Sequence, residues 1–492
     1  MNKKMESKEV KMKSNLDIKR QSKGKGTFYQ LQMCVLANLS VMGPSMGFGY
    51  STVALPPLQS PNSEFKINDN QASWIASAAA ISIPFGCFIT SFVMRRGRKT
   101  SLLIISTVSL IGWLTIYLST NVEQIIIGRI LSGISTGLAT VPTTVYAAEV
   151  SSAKWRSTVV TWTSIAIAAG VLIVYIFGFI FPENWRMVAL LCAIFPLVSF
   201  IITAFIMPES PIWLRERGKL IEAELILKKF RGVPKESPLP PEIVAEFEVK
   251  HHHHKKKNLM KHILRRTALI PSFILLGYFF FQQFSGIFAV VYYAVQISED
   301  SGVKIDHHLN AIFIGATRLI GAFLVAWASR RFGRRTLSIL SGLGMTISIG
   351  CLSFYLFLHD RDYVTSDENI LPVICLISYI FMSTLGFLVL PFAMVGELYP
   401  SKVKDVLSGF TTCIAYIFSF ISVKAYPDMI LIMGKHGIFC FYALFSLFGT
   451  IFVIFFLPET RGKTIKEIEN IYAKKTISEK FDEINVKEKM VP

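Results

Sequence analysis

The chain has 492 residues, of which 52% are hydrophobic and only 17% are charged, and its formal net charge is +18. A soluble fold of this composition would leave much apolar surface in water, which argues against a soluble enzyme. Three stretches without any charged residue are each about as long as the roughly 20 residues that a helix needs to cross a bilayer, at 102–118, 157–181 and 439–457. The composition therefore predicts an all-α polytopic membrane protein.

The positive charge is placed as membrane topology requires. Lys and Arg concentrate before the first apolar stretch, between residues 208 and 267, after residue 458, and in short clusters at 95–99, 154–156, 330–335 and 402–404. If the helices alternate in direction, all of these segments lie on one side, and the loops of the other side are acidic. This positive-inside pattern predicts that both termini are cytoplasmic, and it explains the charge without nucleic acid as a partner. The Lys-rich start of the chain is not typical of a cleavable signal peptide.

Hydropathy predicts twelve membrane spans, six on each side of a polar segment. They lie near residues 31–56, 71–94, 100–119, 122–148, 157–181 and 187–207, and then near 267–297, 309–329, 336–358, 370–396, 406–424 and 437–457. We therefore expect a cytoplasmic tail at 1–30, a six-helix half at 31–207, a cytoplasmic linker at 208–266, a second half at 267–457 and a tail at 458–492.

The linker contains four consecutive histidines, His251–His254, followed by three lysines. A metal site is conceivable there, but adjacent histidines without other ligands are more typical of a solvated loop. We expect no metal and no cofactor.

Three landmarks occur twice in the same order. The glycine of a basic loop recurs after 236 residues (Gly97 and Gly333), a Glu followed by a cation after 248 (Glu149 and Glu397), and a Pro-Glu pair after 250 (Pro208 and Pro458). Such a repeat predicts two pseudo-symmetric six-helix halves with a substrate held between them at mid-depth.

Several motifs fit this architecture, namely Gly128-Arg129 with Glu149 and Arg156, Pro208–Trp213, Gln282–Gly286, Gly396–Pro400 and Pro458–Thr464. Together they resemble the sugar-porter branch of the major facilitator superfamily, over nearly the whole chain. Other details are similar to the insect facilitated trehalose transporters, namely Ala72–Ile75, Val423–Met429 and His436-Gly437.

The resemblance implies a cytoplasmic gate, in which salt bridges across the halves close the inner side when the substrate site faces outward. The residues concerned are Arg98, Arg129, Glu149, Arg156, Arg334, Glu397 and Lys404. The alternative is that these charges only fix topology and solvate the loop ends. The chain departs from the family where an acid usually precedes each loop glycine by three positions, because Met94 and Arg330 stand there.

For the substrate site, the resemblance implies that Gln282 and Gln283 bind sugar hydroxyls, although interhelical hydrogen bonding would also explain two amides in an apolar helix. Other positions expected to line the site differ from hexose porters, and these are Ser164, Phe288, Phe392 and Tyr416.

Arg318 stands where the family has Asn. A guanidinium could bind sugar hydroxyls or, in a bidentate manner, a carboxylate or phosphate, or it could be a structural cation neutralised by a helix C-terminus or a nearby acid.

Proton-driven porters carry an acid directly after the Gly-Tyr of the first span, and here Ser51 follows Gly49-Tyr50. We therefore predict facilitated uniport of trehalose or a hexose by alternating access, in the plasma membrane, with a small sugar and the lipid bilayer as partners. The alternatives are a carrier of anionic metabolites, motivated by Arg318, and a non-transporting sugar sensor, motivated by the missing loop acids. No nucleophile, metal or phosphate-loop constellation points to an enzyme.

Overall fold

The computed structural model describes residues 2–61, 63, 67–234, 236–241, 262–300, 306–361, 370–400, 403–461, 463 and 465–472, with the backbone alone for residues 2–25 and a few single positions. The His251–His254 tract lies outside the described residues.

The first half contains six membrane spans, which we number in chain order. Span 1 is the Gly26–Gln59 part of the helix Asn2–Gln59, and spans 2 to 6 are Asp69–Met94, Arg98–Tyr117, Val122–Val150, Lys154–Ile180 and Trp185–Phe205. Span 4 consists of two helices, Val122–Ala139 and Pro142–Val150. Two short helices follow span 6, Pro211–Glu216 and Leu220–Arg231.

The second half repeats this order. Span 7 is Arg266–Phe284 and continues as two short helices, Ile287–Tyr292 and Ala294–Asp300. Spans 8 and 9 are His307–Arg331 and Arg334–His359, and span 10 consists of Leu371–Leu385 and Leu390–Leu398. The last two elements are Lys404–Phe456 and the short helix Ile465–Tyr472.

The helix Lys404–Phe456 crosses the membrane twice. Its 53 residues would measure about 80 Å as one helix, more than twice the hydrocarbon thickness of roughly 30 Å. Gly434 divides it, because its φ of 73° and ψ of 172° are not helical and its positive φ is a conformation that glycine adopts readily. Span 11 ends and span 12 begins there, so the predicted twelve-helix architecture in two halves is confirmed.

The two halves meet along two pairs of helices, span 2 with span 11 and span 5 with span 8, while span 1 contacts the short helices after span 7. We call the side that carries the loops at Gly97 and Gly333 the basic side. Small residues bring helices close within a half: a Cβ added to Gly137 of span 4 would overlap the carbonyl oxygen of Ile83 in span 2. Close approach of this kind is typical of helix packing in membranes.

Candidate functional site

The halves are joined by hydrogen bonds on the side opposite to the basic side. Thr52 of span 1 donates from its hydroxyl to the carbonyl oxygen of Val291 at 3.0 Å and accepts from the amide of Ala294 at 3.1 Å. Tyr175 of span 5 donates to the same Val291 oxygen at 2.7 Å. The broken end of span 7 is thereby held against the first half.

Lys424 makes a second connection on this side, between span 11 and span 2. Its ammonium donates to Asn70 Oδ1 at 2.8 Å and to the hydroxyl of Ser73, and it lies 4.8 Å from the centre of the Trp74 ring. Cation–π contact and hydrogen bonding thus join the two sequence segments that are similar to the insect transporters. This side of the seam between the halves is closed in the structure.

The predicted gate residues of the basic side form ion pairs within each half. The guanidinium of Arg98 contacts both carboxylate oxygens of Glu149, the shortest distance being 2.7 Å from Nη2 to Oε1. Arg334 Nη2 lies 2.9 Å from Glu397 Oε1. In this conformation, in which the halves are joined at the other side, these pairs lie within each half. The bridges across the halves were expected when the substrate site faces outward, and they stay a prediction for that state.

A second carboxylate in each half caps a helix. Glu209 Oε1 accepts from the backbone amides of Arg98 and Lys99, at 2.9 and 3.1 Å, at the start of span 3. Glu459 accepts in the same way from the first two amides of span 9, at 3.0 and 3.1 Å. Negative charge is favourable there because the helix dipole is positive at the N-terminus.

The capping carboxylate and the ion pair are linked by a hydroxyl. Ser210 donates to Glu149, and Thr460 donates to Glu397 Oε2 at 2.7 Å in the equivalent position. Each half thus carries the same polar cluster, built from an Arg, two Glu and a hydroxyl. Among the described residues, the contacts that build each cluster come from its own half.

The glycines of the two basic loops are required by this geometry. Gly97 has a φ of 137° and Gly333 a φ of 82°, and an added Cβ would overlap the carboxylates of Glu209 and Glu459, respectively. Met94 and Arg330 stand where the family usually has an acid. The carboxylates that cap the helices here belong to the Pro-Glu landmarks. The repeated Glu after Pro208 and Pro458 was the signal that could have identified them.

Two predicted gate residues have other partners than expected. Arg156 donates from Nε to the carbonyl oxygen of Ala148 at 3.1 Å, near the end of span 4. Lys404 begins the helix of span 11, and Glu397 pairs with Arg334 rather than with Lys404.

Arg129 does not belong to the basic side. It lies seven residues into span 4, about 10 Å from the opposite end at 1.5 Å per residue, and it is fully buried. Its guanidinium donates to the carbonyl oxygens of Ile75 and Gly47, at 3.0 and 2.6 Å, and to the Ser51 hydroxyl at 2.8 Å. It therefore binds spans 1 and 2 to span 4, and its grouping with the basic-side charges is corrected.

Gln282 and Gln283 are both fully buried but differ in their bonding. Gln282 Nε2 donates to the carbonyl oxygens of Phe387 and Leu388, at 2.5 and 3.0 Å, in the break of span 10. Proline has no amide hydrogen, so Pro391 leaves the Phe387 carbonyl without its helical donor. In this conformation Gln282 replaces that donor and so forms an interhelical hydrogen bond.

Gln283 keeps an unsatisfied acceptor. Its Nε2 lies 3.3 Å from Gln282 Oε1, but its own Oε1 is buried and has no partner among the described residues. Buried polar atoms of this kind are costly unless a ligand or water completes them. Gln283 is therefore the better candidate of the two for direct ligand binding.

Aromatic side chains surround the same region. Phe288 lies across the seam from Phe48 of span 1, with ring centres 6.2 Å apart. Phe392 lies 4.9 Å from Phe279 and 5.9 Å from Tyr416, which joins spans 7, 10 and 11. Ser164 is half-buried in span 5.

Arg318 lies in the middle of span 8 and is only 6% exposed. Its Nη1 atom has no partner among the described residues, and the groups that interact with it electrostatically are the tyrosines Tyr175, Tyr292 and Tyr416. A nearby acid, one of the neutralising groups expected from the sequence, does not appear among these neighbours. An unpaired Arg at this depth costs about 2.5–3.5 kcal/mol or more.

Comparison with known proteins places these features in a family. The profile of the family described as Sugar (and other) transporter matches residues 23–472. The facilitated trehalose transporter Tret1 of Apis mellifera ligustica is 31% identical over 447 residues, covering 90% of this chain and 88% of that protein. The Culex quinquefasciatus protein of the same name is 30% identical over 449 residues, covering 90% and 86%. The Drosophila mojavensis protein of the same name is 32% identical over 443 residues, and this chain spans about half of its length, 51%.

Solved structures show the same fold. The inward open conformation of the xylose transporter XylE from E. coli has a TM-score of 0.73 and 22% identity, over 90% of this chain and all of that one. Its partially occluded inward open conformation has a TM-score of 0.72 and 23% identity, over 89% and 99%.

We predict that the coupling energy of the basic-side ion pairs follows their burial. The side chains of Arg98 and Glu149 are 14% and 12% exposed, and those of Arg334 and Glu397 are 24% and 29% exposed. Double-mutant cycles with Gln replacements, read as apparent unfolding free energies in mixed detergent micelles, should give about 1–3 kcal/mol for the first pair and less for the second.

The control is Lys219 with Glu222, whose side chains are 58% and 56% exposed, with an expected coupling below about 0.5 kcal/mol. Equal coupling in all three pairs would contradict the assignment of the two clusters as structural units of their halves.

Proposed function

We propose that this chain, which belongs to the sugar (and other) transporter family of the major facilitator superfamily, carries trehalose or a hexose across the plasma membrane by facilitated uniport. It is a multi-pass membrane transporter and not an enzyme. The observation that carries the proposal is the buried amide of Gln283, whose oxygen has no partner among the described residues.

The chemistry of this region suits a sugar. A sugar hydroxyl can donate to the free Gln283 oxygen and accept from a neighbouring donor, while the rings of Phe288 and Tyr416 offer apolar faces to the C–H groups of a pyranose. Gln282 can take part if the ligand replaces its bonds to the span 10 carbonyls. Trehalose as a substrate is supported by the similarity to the facilitated trehalose transporters, and a hexose by the resemblance to the sugar porters.

Transport requires that the closed side opens while the other side closes. The bonds that join the halves are few: those at Thr52 are buried, and those of Lys424 are exposed or part-buried. Opening of this side therefore requires the exchange of only a small number of hydrogen bonds. The ion pair of each polar cluster lies inside one half, which allows each half to move as a unit. We assign the basic side to the cytoplasm on the positive-inside rule, so the structure faces the cytoplasm.

Uniport is supported by the surroundings of Ser51. A proton-coupled carrier needs a carboxylate that can exchange a proton at mid-membrane. Here Arg129 donates to the Ser51 hydroxyl and to backbone carbonyls, so its charge is compensated by dipoles that do not titrate.

The first test is counterflow of labelled trehalose and glucose into liposomes that contain the purified protein. We expect uptake of at least one of them by the wild type. Replacement Gln283→Ala removes one hydrogen bond, worth about 0.5–1.5 kcal/mol, so the half-saturating sugar concentration should rise about threefold to tenfold. Gln124→Ala is the matched control, since that amide is at the exposed start of span 4. Wild-type protein that exchanges neither sugar would contradict the proposal.

The second test concerns coupling. In the same liposomes, sugar uptake should leave the internal pH unchanged and should not depend on an imposed proton gradient, because no titrating group accompanies the sugar. A pH-sensitive dye inside the vesicles and a membrane-potential dye report both quantities. Sugar-dependent acidification of the lumen, at any stoichiometry, would show that uniport is wrong.

A further inference from the structure

We propose that the seam between the halves holds an anion at Arg318. The inference rests on the proposed function for the place of the pocket, and it adds a second ligand chemistry to it. The anion is either a free inorganic ion such as chloride or the carboxylate of an acidic sugar, and both would be bound by the same atoms.

Arg318 faces the first half rather than lipid. Gly315 lies one helical turn before it and therefore on the same face of span 8, and a Cβ added to Gly315 would lie 3.0 Å from the Tyr175 ring and 3.2 Å from Leu172, both in span 5. The neighbouring residue Ile320 is exposed on the outer surface of span 8. The Arg318 guanidinium is thus enclosed at the contact of spans 5 and 8.

Two donors at this place have no partner among the described residues, the Nη1 group of Arg318 and the hydroxyl of Tyr292. Both are buried, and the two groups interact electrostatically. The third hydroxyl nearby, that of Tyr175, already donates to Val291. A ligand with an acceptor atom at Arg318 would satisfy its Nη1 donor.

The charge of the site distinguishes an anion from a neutral hydroxyl. The electrostatic neighbours of Arg318 are phenols, which are uncharged at neutral pH. Arg129 is also buried, but its surroundings differ, because its guanidinium donates to carbonyl oxygens and to a hydroxyl. A single sugar hydroxyl would offer Arg318 one dipole, where Arg129 has several. An anion would both accept hydrogen bonds from Arg318 and neutralise its charge in a low-dielectric region.

The experiment titrates the purified full-length protein with sodium chloride or sodium glucuronate, against sodium methanesulfonate at constant ionic strength, and follows the melting temperature. Three proteins are compared with the wild type. Arg318→Asn removes the charge and retains donors, Arg318→Lys retains the charge, and Arg361→Asn removes an exposed arginine of the same half as a control.

We expect saturable stabilisation of the wild type and of Arg361→Asn by at least one of the two anions, with a half-saturating concentration that is raised about fivefold or more in Arg318→Asn and less in Arg318→Lys. Stabilisation by chloride assigns the site to a free ion, and stabilisation by glucuronate alone assigns it to an acidic group of the substrate. If neither anion stabilises the wild type, or if Arg318→Asn responds as the wild type does, the inference is overturned.

A second readout covers the case in which Arg318→Asn does not fold. Counterflow of labelled neutral sugar by the wild type is compared in chloride, glucuronate and methanesulfonate. A dependence of the rate on the anion supports the site, either as activation by chloride or as competition by glucuronate, and equal rates in all three contradict it. Wild-type protein without any sugar counterflow would instead refute the proposed function, while the melting titration would still decide the anion site.

Discussion

Lipid tails offer no hydrogen bonds, so every polar group inside the twelve helices must find its partner within the protein or in a cavity between the halves. This constraint explains why Arg129 is surrounded by carbonyl oxygens of spans 1 and 2, and why Gln282 donates to the carbonyl that Pro391 leaves free. It also explains why the atoms that remain unsatisfied are informative. The buried atoms without a partner among the described residues include Gln283 Oε1, Arg318 Nη1 and the hydroxyl of Tyr292, and our proposals place ligands at Gln283 and at Arg318.

The same constraint separates what is rigid from what can move. Each half carries its own cluster of Arg, Glu and hydroxyl side chains, and the equivalent contacts of Glu209 and Glu459 hold the starts of spans 3 and 9. The connections across the seam are of another kind, since they are isolated hydrogen bonds and one cation–π contact. A rearrangement that exchanges the contacts across the seam and preserves the clusters within each half therefore costs the least free energy.

Much of the fold could be predicted from the sequence because its signals are long and repeated. Charge-free stretches define the spans, and the landmarks at Gly97, Glu149 and Pro208 recur in the second half at nearly constant spacing. Bonding partners were harder to predict, because they depend on which helices approach each other. The ion pair of Arg98 with Glu149 joins the start of span 3 to the end of span 4, and the position of Arg129 depends on the contacts of span 4 with spans 1 and 2.

The candidate site could be predicted in its residue types but not in its bonding. The sequence indicated Gln282 and Gln283 as a pair. Only the break of span 10 decides that Gln282 donates to backbone carbonyls, while Gln283 keeps an oxygen without a partner among the described residues. Arg318 stood out as a charge in an apolar helix, but its environment of tyrosines comes from spans 5, 7 and 11. Such an environment is a property of packing, which no local pattern encodes.

The central claim is that the halves separate at the side that is closed in the structure. It is tested most directly by the distance between spin labels at Ser60 and Glu299, beyond span 1 and in the broken end of span 7, in a variant whose seven cysteines are replaced. Electron–electron resonance in lipid should show two distance populations, and addition of transported sugar should change their ratio. A single distance that is the same with and without sugar would contradict the account.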